Sequence, residues 1–483
     1  MNFASPIFLF AFLPLVLIAY HLLRPIRAKN VLLIAAGLVF YAFGDLRHLP
    51  LLLASCALHY GVGLALMRAR RGRRLLLAAC VTVDLAVLAA YKWRGALPLG
   101  ISFYTFQAIS YIVDVSRAPQ SGTRSFRRAL QYLTFFPQLT AGPLMRFSEV
   151  QPLLDTRHVT WDGAFDGCSR FICGLAKKLL LAAAAAQLAN AVYAQTSFDA
   201  LCAWTGAVCY CLQLYFDFSG YSDMAVGLGL LFGIRLPENF SAPFLSRSIE
   251  EYWRRWHISL GDWLKNYLFY PLLRTKFFMN LPKKLKGKLG KKGAKQATTF
   301  LAMLILWFTI GYWHGGAWTF IIGCGLLHWF YIVSGKLMEP LFVKWRAFFH
   351  IEKEKKGFIL FQRVRTFFLV MIGLVFFRSA TVPDALRVLG RGVSGLGLQL
   401  FGNGVLSGLG LEWTELMILA VSILFSAWVT IHNQKEDMRV TLEKKPIWLR
   451  WIALYALLFY VILLGKYGPG YSASEFIYQN FKV

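Results

Sequence analysis

The chain holds 483 residues, 57% of them hydrophobic and only 16% charged, with a mean hydropathy of +0.51. That composition excludes a water-soluble globular fold: apolar windows of 17 or more residues recur from end to end. Each is long enough to cross a hydrocarbon core of roughly 30 Å at about 1.5 Å per helical residue. The formal net charge of +28 does not make a nucleic-acid surface, because the Lys and Arg residues cluster in short connections between those windows, as the positive-inside rule expects.

The expected architecture is an all-α polytopic membrane protein with about twelve crossings, at 3–23, 30–44, 49–66, 74–91, 99–115, 166–195, 200–232, 297–313, 317–338, 361–379, 412–433 and 447–467. The first window lacks a basic leading region and a small-residue cleavage site, so it reads as a retained span rather than a signal peptide. "RPIRAK" (24–29) and "MRARRGRR" (67–74) must share a side, with two windows between them. The same parity puts Arg117, Arg124, Arg127, Arg128 and the basic run from Arg274 to Lys295 inside, where they meet anionic head groups. Both termini then lie outside. No internal repeat is visible. One integral-membrane domain spans 1–483, with N-terminal helices at 1–96, a core at 97–338, C-terminal helices at 339–470 and an outer tail at 471–483. Cys56, Cys80, Cys168, Cys173, Cys202, Cys209, Cys211 and Cys324 sit mostly inside apolar windows without CxxC spacing, and read as inert core thiols.

Two stretches break the pattern, 130–152 and 240–275, both amphiphilic and interrupted by Pro or Gly. Irregular backbone at membrane depth survives only where protein buries it or water lines it, so both are candidate re-entrant or interfacial elements around a cavity. In the second, Trp253, Trp256, His257, Leu260 and Leu264 follow the i, i+3, i+4, i+7 rhythm and predict one amphipathic helix, opposite Glu250, Arg254, Arg255 and Asp262. It is either an interfacial helix with tryptophans at head-group level, or one face of a cytoplasmic mouth where His257 and the arginine pair admit an anionic acyl donor.

Of nine histidines, His21, His48, His59, His158, His350 and His432 fall at span ends or in connections. His314 and His328 are different: they lie fourteen residues apart on consecutive apolar elements joined by Gly315 and Gly316, so a sharp reversal is expected to bring both side chains toward one polar pocket. Such a ring is either satisfied by a neighbouring carbonyl or functional, since ionisable groups inside a membrane are expensive. There is no HExxH, no acid at ligand spacing and no GxSxG elbow, which argues against zinc and serine chemistry. General-base catalysis remains, with an imidazole taking the proton of a hydroxyl as it attacks a thioester or ester: O-acyl transfer.

Five segments carry a resemblance: "LPLGISFYTFQAISYIVDV" (97–115), "FFPQLTAGPLMRF" (135–147), "YFDFSGYSDMAVGLGLLFGIRLPENFSAPF" (215–244), "YWRRWHISLGDWLKNYLFYPL" (252–272) and "GYWHGGAWTF" (311–320). In this order they resemble the membrane-bound O-acyltransferase (MBOAT) family, in particular its bacterial branch that serves alginate O-acetylation and teichoic-acid D-alanylation. The resemblance implies helices around a central funnel, with His314 as the catalytic histidine and His257 and His328 in supporting roles. It further implies no tightly bound cofactor, a cytoplasmic donor (acetyl-CoA or an acyl carrier), a polysaccharide acceptor and an extracytoplasmic acetyltransferase partner. Arg146, Arg247, Arg254, Arg255 and Trp313 are candidates to hold the donor, guanidinium being suited to bidentate phosphate contact; ion pairs that merely seat a helix are the competing account of the arginines. Asp217 and Asp223 read as braces rather than bases.

After the last window, Phe476, Tyr478 and Phe481 form an F-x-Y-x-x-F pattern. It resembles a terminal tyrosine segment of the same branch, which implies that Tyr478 accepts the acyl group with His314 as base; a plain aromatic interface anchor is the alternative. Acetyl is preferred over D-alanyl, and alginate-like polymer and peptidoglycan are both open acceptors. The rival from another class is a proton-coupled transporter, in which intramembrane His and Asp relay protons. Such folds usually carry repeated halves, which this sequence does not show.

Overall fold

The structure, a computed structural model, describes residues 1–69, 71–95, 97–195, 199–394 and 412–465. The described residues are overwhelmingly helical, with a single isolated antiparallel bridge, Phe240 to Trp256. In chain order the principal helices are α1 (Leu13–Leu22), α2 (Ile26–Asp45), α3 (Leu49–Arg68), α4 (Arg73–Trp93), α5 (Ile101–Arg117), α6 (Phe126–Thr134), α7 (Trp161–Ala176), α8 (Ala183–Tyr193) and α9 (Ala200–Leu231). They continue with α10 (Ile249–Arg255), α11 (Ile258–Leu264), α12 (Lys276–His314), α13 (Leu327–Phe348), α14 (Lys356–Arg378), α15 (Val382–Ser394), α16 (Trp413–His432) and α17 (Ile447–Leu464).

Among the described residues, eight helical runs are long and apolar enough to cross a membrane: Ile26–Arg68, Arg73–Trp93, Trp161–Tyr193, Lys276–His314, Trp318–Phe348, Lys356–Arg378, Trp413–His432 and Ile447–Leu464. The first is 43 residues long and contains both α2 and α3. The expected spans at 99–115 and 200–232 are helical too, as α5 and α9, but less apolar. The reason is enclosure. α5 buries twelve of its seventeen residues, including Thr105, Gln107 and Ser110, and a helix walled off from lipid by its neighbours need not be apolar all round.

The chain divides into two compact units. One comprises Met1–Ala184, Leu214–Glu238 and the described residues from Thr414 onward. Within it, α7 meets the second half of α9 backbone to backbone: Cβ atoms built on Gly167 and Gly227 would each fall within 3.0 Å of the other's carbonyl oxygen, and Gly174 and Gly220 repeat the contact seven residues along. No larger residue fits. Close approach through small residues is the usual basis of helix association in lipid. Next to that seam a π-helical turn, Lys177–Ala182, presents two lysines to α9. Lys178 pairs with Asp217, both buried, and Lys177 and Arg170 pair with Asp223 at 2.6 and 2.7 Å. Asp217 and Asp223 thus cross-link two helices.

The irregular stretch after α6 lies in the same unit and is almost wholly buried. Several of its polar groups are bonded internally: the Tyr132 hydroxyl donates to Met145 O at 2.7 Å, Gln138 Nε2 donates to Tyr132 O at 2.8 Å, and Thr140 shares a hydrogen bond with Tyr221. His59, expected at a span end, instead sits in the middle of α3 and is fully buried against Asp84 of α4.

The other unit comprises Ala185–Gln213 and Asn239–Trp413. Here α13, through the π-helical turn Ile321–Leu326 that precedes it, is gripped by α12 on one side and α14 on the other. A Cβ on Gly325 would lie 2.7 Å from Trp307 O, and Gly323 and Gly373 meet reciprocally at 2.6 Å.

The paired intramembrane charges make a prediction. Lys178→Met should remove the buried cation that faces Asp217 and cost about 3–5 kcal/mol, whereas the double variant Lys178→Met with Asp217→Leu should recover most of it. Thermal unfolding of the detergent-solubilised variants measures both.

Candidate active site

His314 is the last residue of α12, and the sequence dictates why the helix stops there. Gly315 and Gly316 follow, and Gly316 adopts φ +79°, a conformation costly for residues with a side chain. A Cβ on Gly315 would lie 2.5 Å from the Phe320 ring, so the chain reverses tightly enough for α12 to pack directly on the next element. The His314 ring is 6% exposed. It lies 4.6 Å from the Trp313 ring and edge-on to Phe377 of α14 at 5.5 Å, and Phe377 in turn meets Phe320 at 4.9 Å.

His328, 3% exposed, stands in an aromatic enclosure. Trp253 of α10 meets its ring edge-on at 4.9 Å, Trp307 of α12 stacks at 5.8 Å and Tyr331 closes the side at 6.1 Å. A Cβ on Gly373 of α14 would come 3.2 Å from His328 Nε2. Gly373 and Phe377 are i and i+4 on α14, so the rings of His328 and His314 abut consecutive turns of one helix face.

His257 corrects the expected single amphipathic helix. α10 ends at Arg255, Trp256 is extended, and His257 takes a left-handed conformation, φ 47° and ψ 53°, before α11 begins. The cause is Asn239, one of the residues that sequence spacing did not single out. Its backbone carbonyl accepts from Ile258 N–H at 3.0 Å, and its side-chain Oδ1 accepts from Ser259 N–H and Oγ and from His257 Nδ1 at 3.0 Å. The bridge between Phe240 and Trp256 continues the clamp. Since Asn239 Oδ1 can only accept, Nδ1 of His257 carries the hydrogen and Nε2 presents a lone pair. Burial pushes the His257 imidazolium from its ordinary 6.5 down to about 3. α10 itself starts at Ser248, whose hydroxyl accepts from Glu251 N–H at 3.2 Å while Glu251 accepts from Arg247 N–H at 2.8 Å, a variant of the capping box.

The arginine candidates divide. Arg255 is tied to Glu251 at 2.7 Å, Arg247 to Glu354 at 2.9 Å, and Arg146 begins a short helix in which its own N–H donates to Glu149 at 2.9 Å. Arg254 projects outward, exposed. Tyr478 lies outside the described residues.

Comparison with known proteins matches residues 101–381 to the model of the membrane-bound O-acyltransferase family. That span takes in α5 through α14 and every candidate above except Tyr478. The chain belongs to the membrane-bound O-acyltransferase family. It is 36% identical over 461 residues to a protein of Azotobacter vinelandii named probable alginate O-acetylase AlgI, covering 89% of this chain and 84% of that one. It is 32% identical over 448 residues to the peptidoglycan O-acetyltransferase of Helicobacter pylori, covering 82% and 80%. Against the teichoic acid D-alanyltransferase of Bacillus subtilis it is 28% identical over 283 residues, 58% of this chain and 68% of the relative. This multi-pass O-acyltransferase therefore carries its intramembrane histidines on the elements that the family shares.

The depressed His257 value sets a pH dependence. The native state holds the ring neutral, so between pH 6.5 and about 3 the unfolded chain binds the extra proton, and the stabilisation is complete above pH 6.5 and erodes as pH falls. Unfolding midpoints measured from pH 7.5 to 4.5 should fall, and His257→Gln should flatten that slope.

Proposed function

We propose that this O-acyltransferase moves an acetyl group from a cytoplasmic donor, acetyl-CoA or an acyl carrier, to the outer face of the cytoplasmic membrane for O-acetylation of an exported, alginate-like polysaccharide. The relatives named for alginate and peptidoglycan O-acetylation support acetyl over D-alanyl, being the more similar and covering more of the chain. The observation that carries the catalytic reading is the His314 ring itself, at the end of α12, beside a tight Gly-Gly reversal. A buried imidazole that closes a membrane helix is expensive to keep without a task.

In this reading His314 takes the proton of the attacking hydroxyl, the oxygen bonds to the thioester carbonyl carbon, and the C–S bond breaks. The departing thiolate receives the proton back from His314, so the imidazole is regenerated. His328 and His257 are positioning residues, the first through its aromatic enclosure against α14 and the second through the Asn239 clamp. Arg254 and Arg255, with Trp313, receive the phosphate-bearing donor on the cytoplasmic side, and Arg146 is a further candidate contact for it. The first acceptor is Tyr478 of the outer tail, a phenol that needs a base because its pKa is ordinarily about 10. The acyl-tyrosine is then handed to a separate extracytoplasmic acetyltransferase. Both termini lie outside.

Membranes incubated with radiolabelled acetyl donor test this. His314→Ala should lower label transfer by about 100-fold or more. Label independent of His314 would remove the transferase role of that ring and favour its use in proton transport. Tyr478→Phe should abolish label on the polymer while leaving the donor consumable by water; full retention of polymer acylation would end the relay. A parallel D-alanyl donor decides the acyl group.

A further inference from the structure

We propose that His59, Cys80 and Asp84, in the N-terminal helices, form a binding site for one divalent transition metal ion, with zinc the best match to the donor set. His59 lies on α3, and Cys80 and Asp84 are i and i+4 on α4, so one face of α4 presents a thiol and a carboxylate to an imidazole on the neighbouring helix. All three residues are buried, and their ligand atoms lie within 4.8 Å of one another. Nε2 of His59 stands 3.0 Å from Asp84 Oδ2. Nitrogen and oxygen ligands on one tetrahedral zinc are roughly 3.3 Å apart, and a thiolate sulfur sits slightly farther out, so the cluster needs only small side-chain shifts to close around an ion.

A second, independent observation orients the ring. His59 Nδ1 lies 2.7 Å from the carbonyl oxygen of Ser55, to which it donates. That is the outer bond that metal-ligating histidines characteristically make: it fixes the tautomer and turns the Nε2 lone pair toward the ion. With Nδ1–H committed to a carbonyl, Nε2 facing a carboxylate oxygen requires a cation between them, either a proton or a metal. Cys80 adds a soft thiolate ligand, which selects zinc or its neighbours over magnesium or calcium.

Loading a divalent ion on this donor set displaces protons, so its affinity depends on pH. Three protein ligands leave the fourth position to water. The site would pin α3 to α4 and is separate from the histidines of the acyl-transfer reading.

Cobalt(II) titrated into the chelator-treated, detergent-purified full-length protein tests the site. The expected result is one equivalent bound, a thiolate-to-cobalt absorption band in the near ultraviolet, and a rise in melting temperature. Cys80→Ala should lose the band and the thermal shift, and Asp84→Asn should weaken binding by roughly tenfold or more. Because seven other cysteines are present, only a difference between wild type and Cys80→Ala counts in favour. An unchanged band in Cys80→Ala, or no cobalt bound by wild-type protein whose helical circular dichroism is intact, would overturn the proposal and leave an imidazolium–carboxylate pair. Acetyl transfer is measured separately, so failure here does not touch the role of His314.

Discussion

Helices in this protein touch through bare backbone, and the remaining polar features of each unit hang on that contact. Where α7 crosses α9, four glycines at seven-residue spacing bring the two main chains together. Lipid offers no hydrophobic gain for helix association, so dispersion across such a close seam and the charges it brings into reach must supply the attraction. The lysines of the π-helical turn then lie close enough to Asp217 and Asp223 to neutralise them. With a longer separation the same four charges would be unpaired in a low-dielectric interior.

The same device builds the candidate active site in the other unit. Gly311 and Gly325 let α12 lie against the turn that precedes α13, and Gly323 and Gly373 do the same for α14. α14 is thereby brought onto both histidines, with Gly373 leaving room beside His328 and Phe377 edge-on to His314. A methyl group on Gly373 would press on His328. Aromatic rings pack against both histidines, Trp313 and Phe377 against His314 and Trp253 and Trp307 against His328.

Membrane character, helical class and family were all legible in the residues, because hydropathy needs no partner and the five motifs carry their order with them. The location of His314 at a helix end was also legible, since Gly315 and Gly316 follow it directly. The break at His257 was not. The stripe Trp253, Trp256, His257, Leu260 and Leu264 satisfies a helical period, but Asn239, some eighteen residues earlier, captures the backbone of Ile258 and Ser259 and interrupts the helix. Lys177 and Lys178 escaped notice for a related reason: they end an amphipathic stretch as if facing water, and a π-helical turn aims them inward.

Local chemistry thus determined which segments enter a bilayer and which residue types can take a proton there, because both depend on side chains and near neighbours alone. Which of those residues meet was decided by tertiary structure. His59 shows the difference: in sequence it reads as a histidine at a span end, and only the crossing of α3 and α4 sets Cys80 and Asp84 beside it. Such juxtapositions arise from how close two backbones can approach, and that distance is a property of pairs of helices that no single segment encodes.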